Sequence, residues 1–165
     1  TVYVDERVRR ELERGVRQVV LLGSGLDARA MRFPEAHFFE IDQPKTLEFK
    51  KKCVVDLPST LVPTPDYTQV NIPKTLSELG LDLAKPVLYV WEGNVVYLPK
   101  LQAQTIMADL LAADAPTTVV LDALSPVIAR ADRRIDTGDP VLDRALSRLM
   151  EVYFNGSNLW IGDYQ

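Results

Sequence analysis

Two glycines, two acids and an arginine carry the chemistry that can be read from this chain. Residues 19–44 read VVLLGSGLDARAMRFPEAHFFEIDQP. An apolar run enters Gly23-Ser24-Gly25, and a second apolar run ends in Asp42. Glycine directly after a strand lets the backbone turn tightly and lets a ligand approach with no Cβ in the way. The open N–H groups of such a turn favour an electron-rich ligand group. An acid at the end of the next strand can accept both ribose hydroxyl hydrogens of an adenosine. The combination suits a nucleoside-bearing cofactor at the carboxyl edge of a parallel sheet. A Gly-Ser-Gly triplet is also an ordinary turn, and Ala28 stands where a G-x-G-x-x-G pattern has its third glycine. Asp42 likewise has a second role open to it, as the cap of a helix starting near Pro44.

Other side chains join this set by position. Glu40 lies two residues before Asp42, so strand alternation puts both on one side. Glu92 closes a later apolar run, inside VWEGNVVYLP. A carboxylate there faces the crevice where open α/β sheets bind ligands and can hold a ligand ammonium, or else it caps a local turn with Gly93. Tyr97 either packs in the core or donates a hydrogen bond into the cleft. Asn71 and Ile72 are placed to meet an adenine edge through the amide and the backbone. Arg29, near the glycine turn, can pair with a ligand or substrate carboxylate, or lock Asp27 or Glu40. Lys50, Lys51 and Lys52 read as a solvated helix face. His37 has no nucleophile beside it in the sequence and reads as structural. Asp122 ends another strand and either faces the cleft or serves the neighbouring turn.

Composition narrows the function class. The chain has 165 residues, a length suited to one domain, and 47% of them are hydrophobic, enough for a real core. Nineteen basic and 23 acidic residues leave a net charge of -4, which disfavours nucleic-acid binding through a broad positive surface. The apolar runs are too short and too often broken by charge to cross a membrane. Residues 1–17 contain no apolar signal-peptide core. Cys53 is the one cysteine and His37 the one histidine, too few for a zinc site. The expectation is a protein of a reducing, cytoplasmic setting, without metal.

These residues need a scaffold, and the alternation of patterns supplies one. Residues 5–14 read as a helix closed by Gly15. Residues 19–22 form a continuous apolar run, the mark of a strand buried on both faces. A short helix over 26–32 stops at Pro34, and 37–41 give a second strand. Pro44 opens a helix reaching about residue 52. Residues 54–68, with Pro58, Pro63 and Pro65, read as loop. Residues 67–72 suggest a short strand, 76–83 a helix, 87–91 a strand, 101–113 an amphipathic helix, and 117–121 a β-branched strand. Residues 141–152 read as a helix, and 154–165 as a lid edge or boundary. Alternating strand and helix predicts an α/β fold, a mostly parallel sheet flanked by helices with right-handed crossovers.

Three blocks together, VVLLGSGLDARA, FFEIDQPKTLEFK and VWEGNVVYLP, resemble the leucine carboxyl methyltransferase-like family, including its bacterial S-adenosylmethionine-dependent branch. The matching positions are Gly23, Gly25, Leu26, Asp27 and Arg29, then Glu40, Asp42, Pro44 and Lys50, then Glu92, Gly93, Tyr97 and Leu98. Thr1 and Asp5 match the end of a segment preceding the family's first helix here. The resemblance implies a Rossmann-like class I methyltransferase sheet and S-adenosylmethionine as cofactor. It implies that Gly23, Ser24 and Gly25 line the methionine portion, Asp42 takes the ribose hydroxyls, and Glu92 lies near the methionine amino end. Asn71 replaces the usual acid near adenine, and Ala28 the usual Ser or Thr. Family members are longer, so the resemblance also implies a partial domain, incomplete at both ends. Its cofactor-binding core spans about 16–122, and 123–165 form a variable or substrate-side segment.

The reaction implied is methyl transfer to an oxygen nucleophile, the carboxylate or hydroxyl of a small molecule or peptide end. Such transfer needs in-line approach and exclusion of water more than a strong base. Arg29 would orient an acidic substrate. A nicotinamide-dependent oxidoreductase is the alternative enzyme, opposed by the missing third glycine and the EGNVVYLP block. A cofactor-binding homologue without turnover is the other alternative. Oligomeric state is left open by the sequence.

Overall fold

The structure is a computed structural model, and it describes residues 1–122 and 138–144. The elements run α1 (Val2–Glu13), β1 (Gln18–Leu22), α2 (Arg29–Arg32), β2 (His37–Asp42), α3 (Pro44–Cys53) and β3 (Ser59–Pro63). They continue with α4 (Ile72–Ser77), β4 (Val87–Trp91), α5 (Lys100–Leu110) and β5 (Thr117–Leu121). Single 3-10 turns lie at Tyr67–Gln69 and Val95–Tyr97.

All five strands are parallel, in the order β3-β2-β1-β4-β5. β1 and β4 are buried along their whole length, as expected for parallel strands covered on both faces. The register places Val19 beside Phe38 and Leu88, and Leu21 beside Glu40 and Val90. Side chains alternate across a strand, so these residues share one face. There Val19, Leu21, Phe38, Leu88 and Val90 meet Val4, Val8 and Leu12 of α1 and Ala30 and Phe33 near α2 in one apolar cluster. Val8 and Phe38 are wholly buried. Each such side chain contributes roughly 1.5–3 kcal/mol relative to exposure.

The local signals that start and stop these elements are visible. Thr1 Oγ1 accepts from Val4 N at the start of α1, and Gly15, with φ +96°, ends that segment in a conformation other residues resist. Pro44 occupies the first turn of α3 and Pro73 that of α4, where a missing N–H costs nothing.

Three expectations need correction. Residues 59–63, read as loop, are β3, an edge strand of the described sheet that tolerates Pro63 at its end. Residues 67–72, read as strand, form a 3-10 turn and the cap of a helix, because Asp66 and Asn71 each accept local backbone N–H groups. The helix read at 76–83 is α4, at Ile72–Ser77.

The chain divides into two units. Residues 1–92 and 104–121 form the first and hold the sheet. The second comprises residues 93–103 and 122–165. Within it, Gly93 N donates to Asp122 Oδ1 at 2.8 Å, the turn role that the sequence left open for Asp122. Residues 140–144 are helical, opened by Asp139 Oδ1, which accepts from Val141 N at 2.8 Å. The remainder of the helix read at 141–152, and 154–165, lie outside the described residues.

Candidate cofactor site

β1 lies between β2 and β4, so the chain leaves β1 towards one side of the sheet and later returns to its other side. This reversal opens a crevice beyond the carboxyl ends of the strands, where open α/β sheets bind ligands. A cavity of about 190 Å³ sits there, lined by Leu21, Leu22, Gly23, Ser24, Asp27, Arg29, Val90 and Glu92. The residues come from the end of β1, the loop behind it and the end of β4.

The loop is held from below by β2. Ser24 N donates to Ile41 O at 3.1 Å, and Gly25 N to Asp42 Oδ2 at 2.7 Å. Gly23 and Gly25 take φ of +64° and +51°, the left-handed region that favours glycine. A Cβ on Gly25 would meet nothing within 4 Å among the described residues, so there its backbone conformation, not crowding, calls for glycine. Asp42 Oδ1 accepts from Gln43 N at 2.6 Å. The cap position of α3 is Gln43, without a side-chain bond, so Asp42 serves the glycine loop and does not cap the helix. A carboxylate has about four acceptor directions, which leaves Asp42, half-buried, with directions to spare.

Arg29 is the hub of the cavity wall. Its Nε donates to Asp5 Oδ1 at 2.8 Å, its Nη1 to Asp27 Oδ2, and its Nη2 to Glu92 Oε2 at 2.6 Å. Asp27 Oδ1 also accepts from Arg29 N at 2.7 Å. Glu92 Oε1 accepts from the Thr1 amino group at 2.8 Å. Burial alone would lower the Arg29 pKa, but the hydrogen bonds and charges of Asp5, Asp27 and Glu92 outweigh it and raise it. Burial pushes the Glu92 carboxyl up, and the Thr1 amino group and Arg29 more than reverse that, holding it below the usual carboxylate range. Asp5 behaves alike: burial raises it, and bonds from Arg32 and Arg29 bring it below its usual value. Of the roles open to Arg29, locking Asp27 is displayed directly. Glu40 is not its partner.

Glu40 is fully buried and pairs with Lys50, which is 1% exposed. This corrects the reading of Lys50 as part of a solvated face; Lys51 and Lys52 are exposed. The structure gives Glu40 a place inside the fold, away from open solvent, with Oε1 lacking a hydrogen-bond partner among the described residues. Asn71 is the cap of α4, its side-chain oxygen accepting from Lys74 N at 3.0 Å, and Ile72 is 1% exposed at the first helical position. The N–H of a first helical residue has no intrahelical acceptor. Tyr97, 46% exposed, ends the 3-10 turn of the second unit, as Gly93, with φ +78°, begins that unit. His37 stacks on Phe39 at 4.6 Å and bonds Thr60 Oγ1 at 2.8 Å, in keeping with a structural role.

Sequence reasoning missed two residues near the site. Asp5 was noted only as a matching position, and its role depends on α1 lying over the same sheet face as Arg29. Tyr67 lies near the ends of the strands, where its hydroxyl accepts from Trp91 Nε1 at 3.1 Å. Burial, then the charges of Asp42 and Asp66, push its phenol up to about 12 against the opposing Trp91 bond.

Ser24 Oγ is the remaining signal. Ser24 lines the cavity, is 7% exposed, and its hydroxyl has no partner among the described residues. A buried, unsatisfied hydroxyl costs free energy unless something answers it. No group of three metal-ligating side chains occurs among the described residues.

A parallel sheet in this order, with a glycine loop and a polar cavity at its point of reversal, defines an open α/β protein of the Rossmann-like class. A solved structure titled "A Pericyclic Reaction enzyme" shares this fold at a TM-score of 0.50 and 17% identity, over 67% of this chain and 28% of that one. The chain belongs to the leucine carboxyl methyltransferase family, whose pattern matches residues 1–111. It is 30% identical over 174 aligned residues to a Mycobacterium ulcerans protein named "Putative S-adenosyl-L-methionine-dependent methyltransferase", covering 99% of this chain and 57% of the relative. A Mycobacterium tuberculosis protein of the same description is 36% identical over 150 residues, covering 81% of this chain and 48% of the relative. The chain therefore spans about half the length of the curated relatives it matches.

Proposed function

We propose that this chain forms the cofactor-binding part of an S-adenosylmethionine-dependent O-methyltransferase. The observation that carries the reading is the cavity at the sheet reversal, lined by Ser24, whose buried Oγ has no partner among the described residues, and by the Glu92 carboxylate. At about 190 Å³ it is smaller than the roughly 300–1,000 Å³ of a site that encloses a whole drug-sized ligand. It suits one end of the cofactor, the amino-acid tail. Glu92 would receive the ammonium, Ser24 and the loop N–H groups would meet the tail's oxygens, and Asp42 would take the ribose hydroxyls. Asn71 and the backbone of Ile72 would border the adenine. When bound, the cofactor supplies an electrophilic methyl group on sulfur.

This chain's own residues then have to bind, orient and exclude water. A substrate carboxylate is already ionised near neutral pH, so no base is required for it. The acceptor class favoured is therefore a carboxylate, with a hydroxyl of a small molecule or peptide end as the wider reading. A substrate-orienting role for Arg29 would require one of its three carboxylates to give way. Membership of this family weighs against the nicotinamide alternative. No helix among the described residues is long and apolar enough to cross a membrane.

Isothermal titration of the intact protein with S-adenosylhomocysteine, with NADH as comparator, tests the reading. Saturable binding of S-adenosylhomocysteine alone is expected. Binding of NADH instead, or of neither by folded protein, would end it.

A further inference from the structure

We infer that Arg29 is a positioning residue that acts on the bound cofactor through Glu92, and not by pairing with a ligand or substrate carboxylate. The inference rests on the proposed function, in which Glu92 receives the cofactor's ammonium. Three observations lead to it.

The first is occupancy. Nε, Nη1 and Nη2 of Arg29 each reach a different carboxylate, and the residue is 3% exposed. A planar guanidinium presents its donors in fixed directions. With an acid on every side, an incoming carboxylate would have to displace one of them and would meet the negative charge of the other two.

The second is geometry. Asp27 belongs to the loop behind β1, and Glu92 to the end of β4, 63 residues further along than Arg29. Both line the cavity. Arg29 is thus a bracket between its two walls, and it fixes both the gap and the direction of the Glu92 carboxylate. Asp5, from α1, braces the guanidinium from behind and does not line the cavity.

The third is that Glu92 serves two cations at once. Arg29 Nη2 takes Oε2 at 2.6 Å, while an ammonium, that of Thr1, meets Oε1 at 2.8 Å. An ammonium is thus received at this carboxylate without breaking the bracket. Lysine keeps the charge but has a single compact head in place of a fork. It cannot hold three acids at once.

The test is a comparison of two ligands on the intact protein. S-adenosylhomocysteine carries the amino-acid end, and 5′-methylthioadenosine has the same nucleoside and a thioether without that end. Arg29→Lys should weaken S-adenosylhomocysteine roughly tenfold or more, the scale of one hydrogen bond to a charged group, and leave 5′-methylthioadenosine within about threefold. In a Glu92→Gln background, Arg29→Lys should cost nothing further, since its route to the ligand is gone. Equal weakening of both ligands would reduce Arg29 to a general support of the fold and overturn the inference. Losses that add fully to those of Glu92→Gln would show direct action and overturn it too. Should Arg29→Lys not fold, Glu92→Asp carries the question, because the shorter acid cannot reach both Nη2 and the ligand. Selective loss of S-adenosylhomocysteine is expected there as well, and equal loss overturns the inference. Failure of the wild-type protein to bind S-adenosylhomocysteine at all is the separate outcome that removes the proposed function.

Discussion

Replacing Lys50 with methionine should be among the most damaging single changes outside the cavity. Glu40 is 0% exposed and its Oε2 is answered by Lys50, while Oε1 has no partner among the described residues. Methionine keeps much of the lysine's length and removes its charge, leaving a buried carboxylate with nothing opposite. Breaking a buried pair in this way costs about 3–5 kcal/mol. With a urea slope of about 2 kcal/mol per molar, the unfolding midpoint should fall by roughly 2 M. The double variant Glu40→Leu, Lys50→Met removes both charges and fills the space with apolar atoms, and should recover most of the loss. Equilibrium urea unfolding followed by circular dichroism reads both. A single variant within about 0.5 kcal/mol of wild type would show that the pair is not held in a dry interior. A double variant as weak as the single one would show that Lys50 matters for its packing and not for the charge it answers.

Asp42→Ala should weaken S-adenosylhomocysteine binding and also lower stability by about 1–3 kcal/mol, because it frees the N–H groups of Gly25 and Gln43; calorimetry and thermal melting separate the two. Gly25→Ala should cost only about 1–2 kcal/mol of backbone strain, since a Cβ there has room, and a loss above that range would mean the loop has closer neighbours. Asp5 and Glu92 are both held below their usual values by cationic partners, after burial is overcome. Groups depressed in the fold give stability that is present above their unfolded pKa of roughly 4 and is lost as pH falls through the folded value; melting temperature should therefore stay level from pH 7 to about 5 and drop below about 4, with a shallower drop in Asp5→Asn. Tyr67 and Tyr89 are pushed up to about 12, chiefly by burial. Raised groups give stability that is full below the unfolded value near 10 and fades as pH climbs through the folded one, so ultraviolet titration should find two phenols that ionise late, with the fold weakening alongside them.

The strands that position the site were legible because burial on both faces leaves a continuous apolar word. VVLL, HFFEI, VLYVW and TTVVL fall on β1, β2, β4 and β5 to within a residue at each end. β3 was not legible, since STLVP is an edge strand, buried only at Val62, and proline at its border looks like loop. The glycine turn and Asp42 were singled out by spacing, and the structure adds the bond that joins them. Lys50 was misread because three lysines in a row look solvated. The signals were an acid inside an apolar strand and a lysine three residues after buried Leu47, on the same helical face. Arg29 was singled out for its place beside the glycine turn, but its three partners come from α1, its own loop and the end of β4. A contact of that kind depends on how helices lie on the sheet, which local patterning does not state.

The strand order also sets a timetable for a chain made from its N-terminus. β1 can pair with β2 once the chain has emerged through residue 42. Its other edge, a row of Val and Leu, must wait for residues 87–91. Over that interval a sticky strand has one bare side, which is the condition that invites wrong pairing or a chaperone. Glu92 follows directly, so the last wall of the cavity arrives with the strand that seals the edge, and the nascent chain completes that cavity in the same step that ends its most hazardous moment.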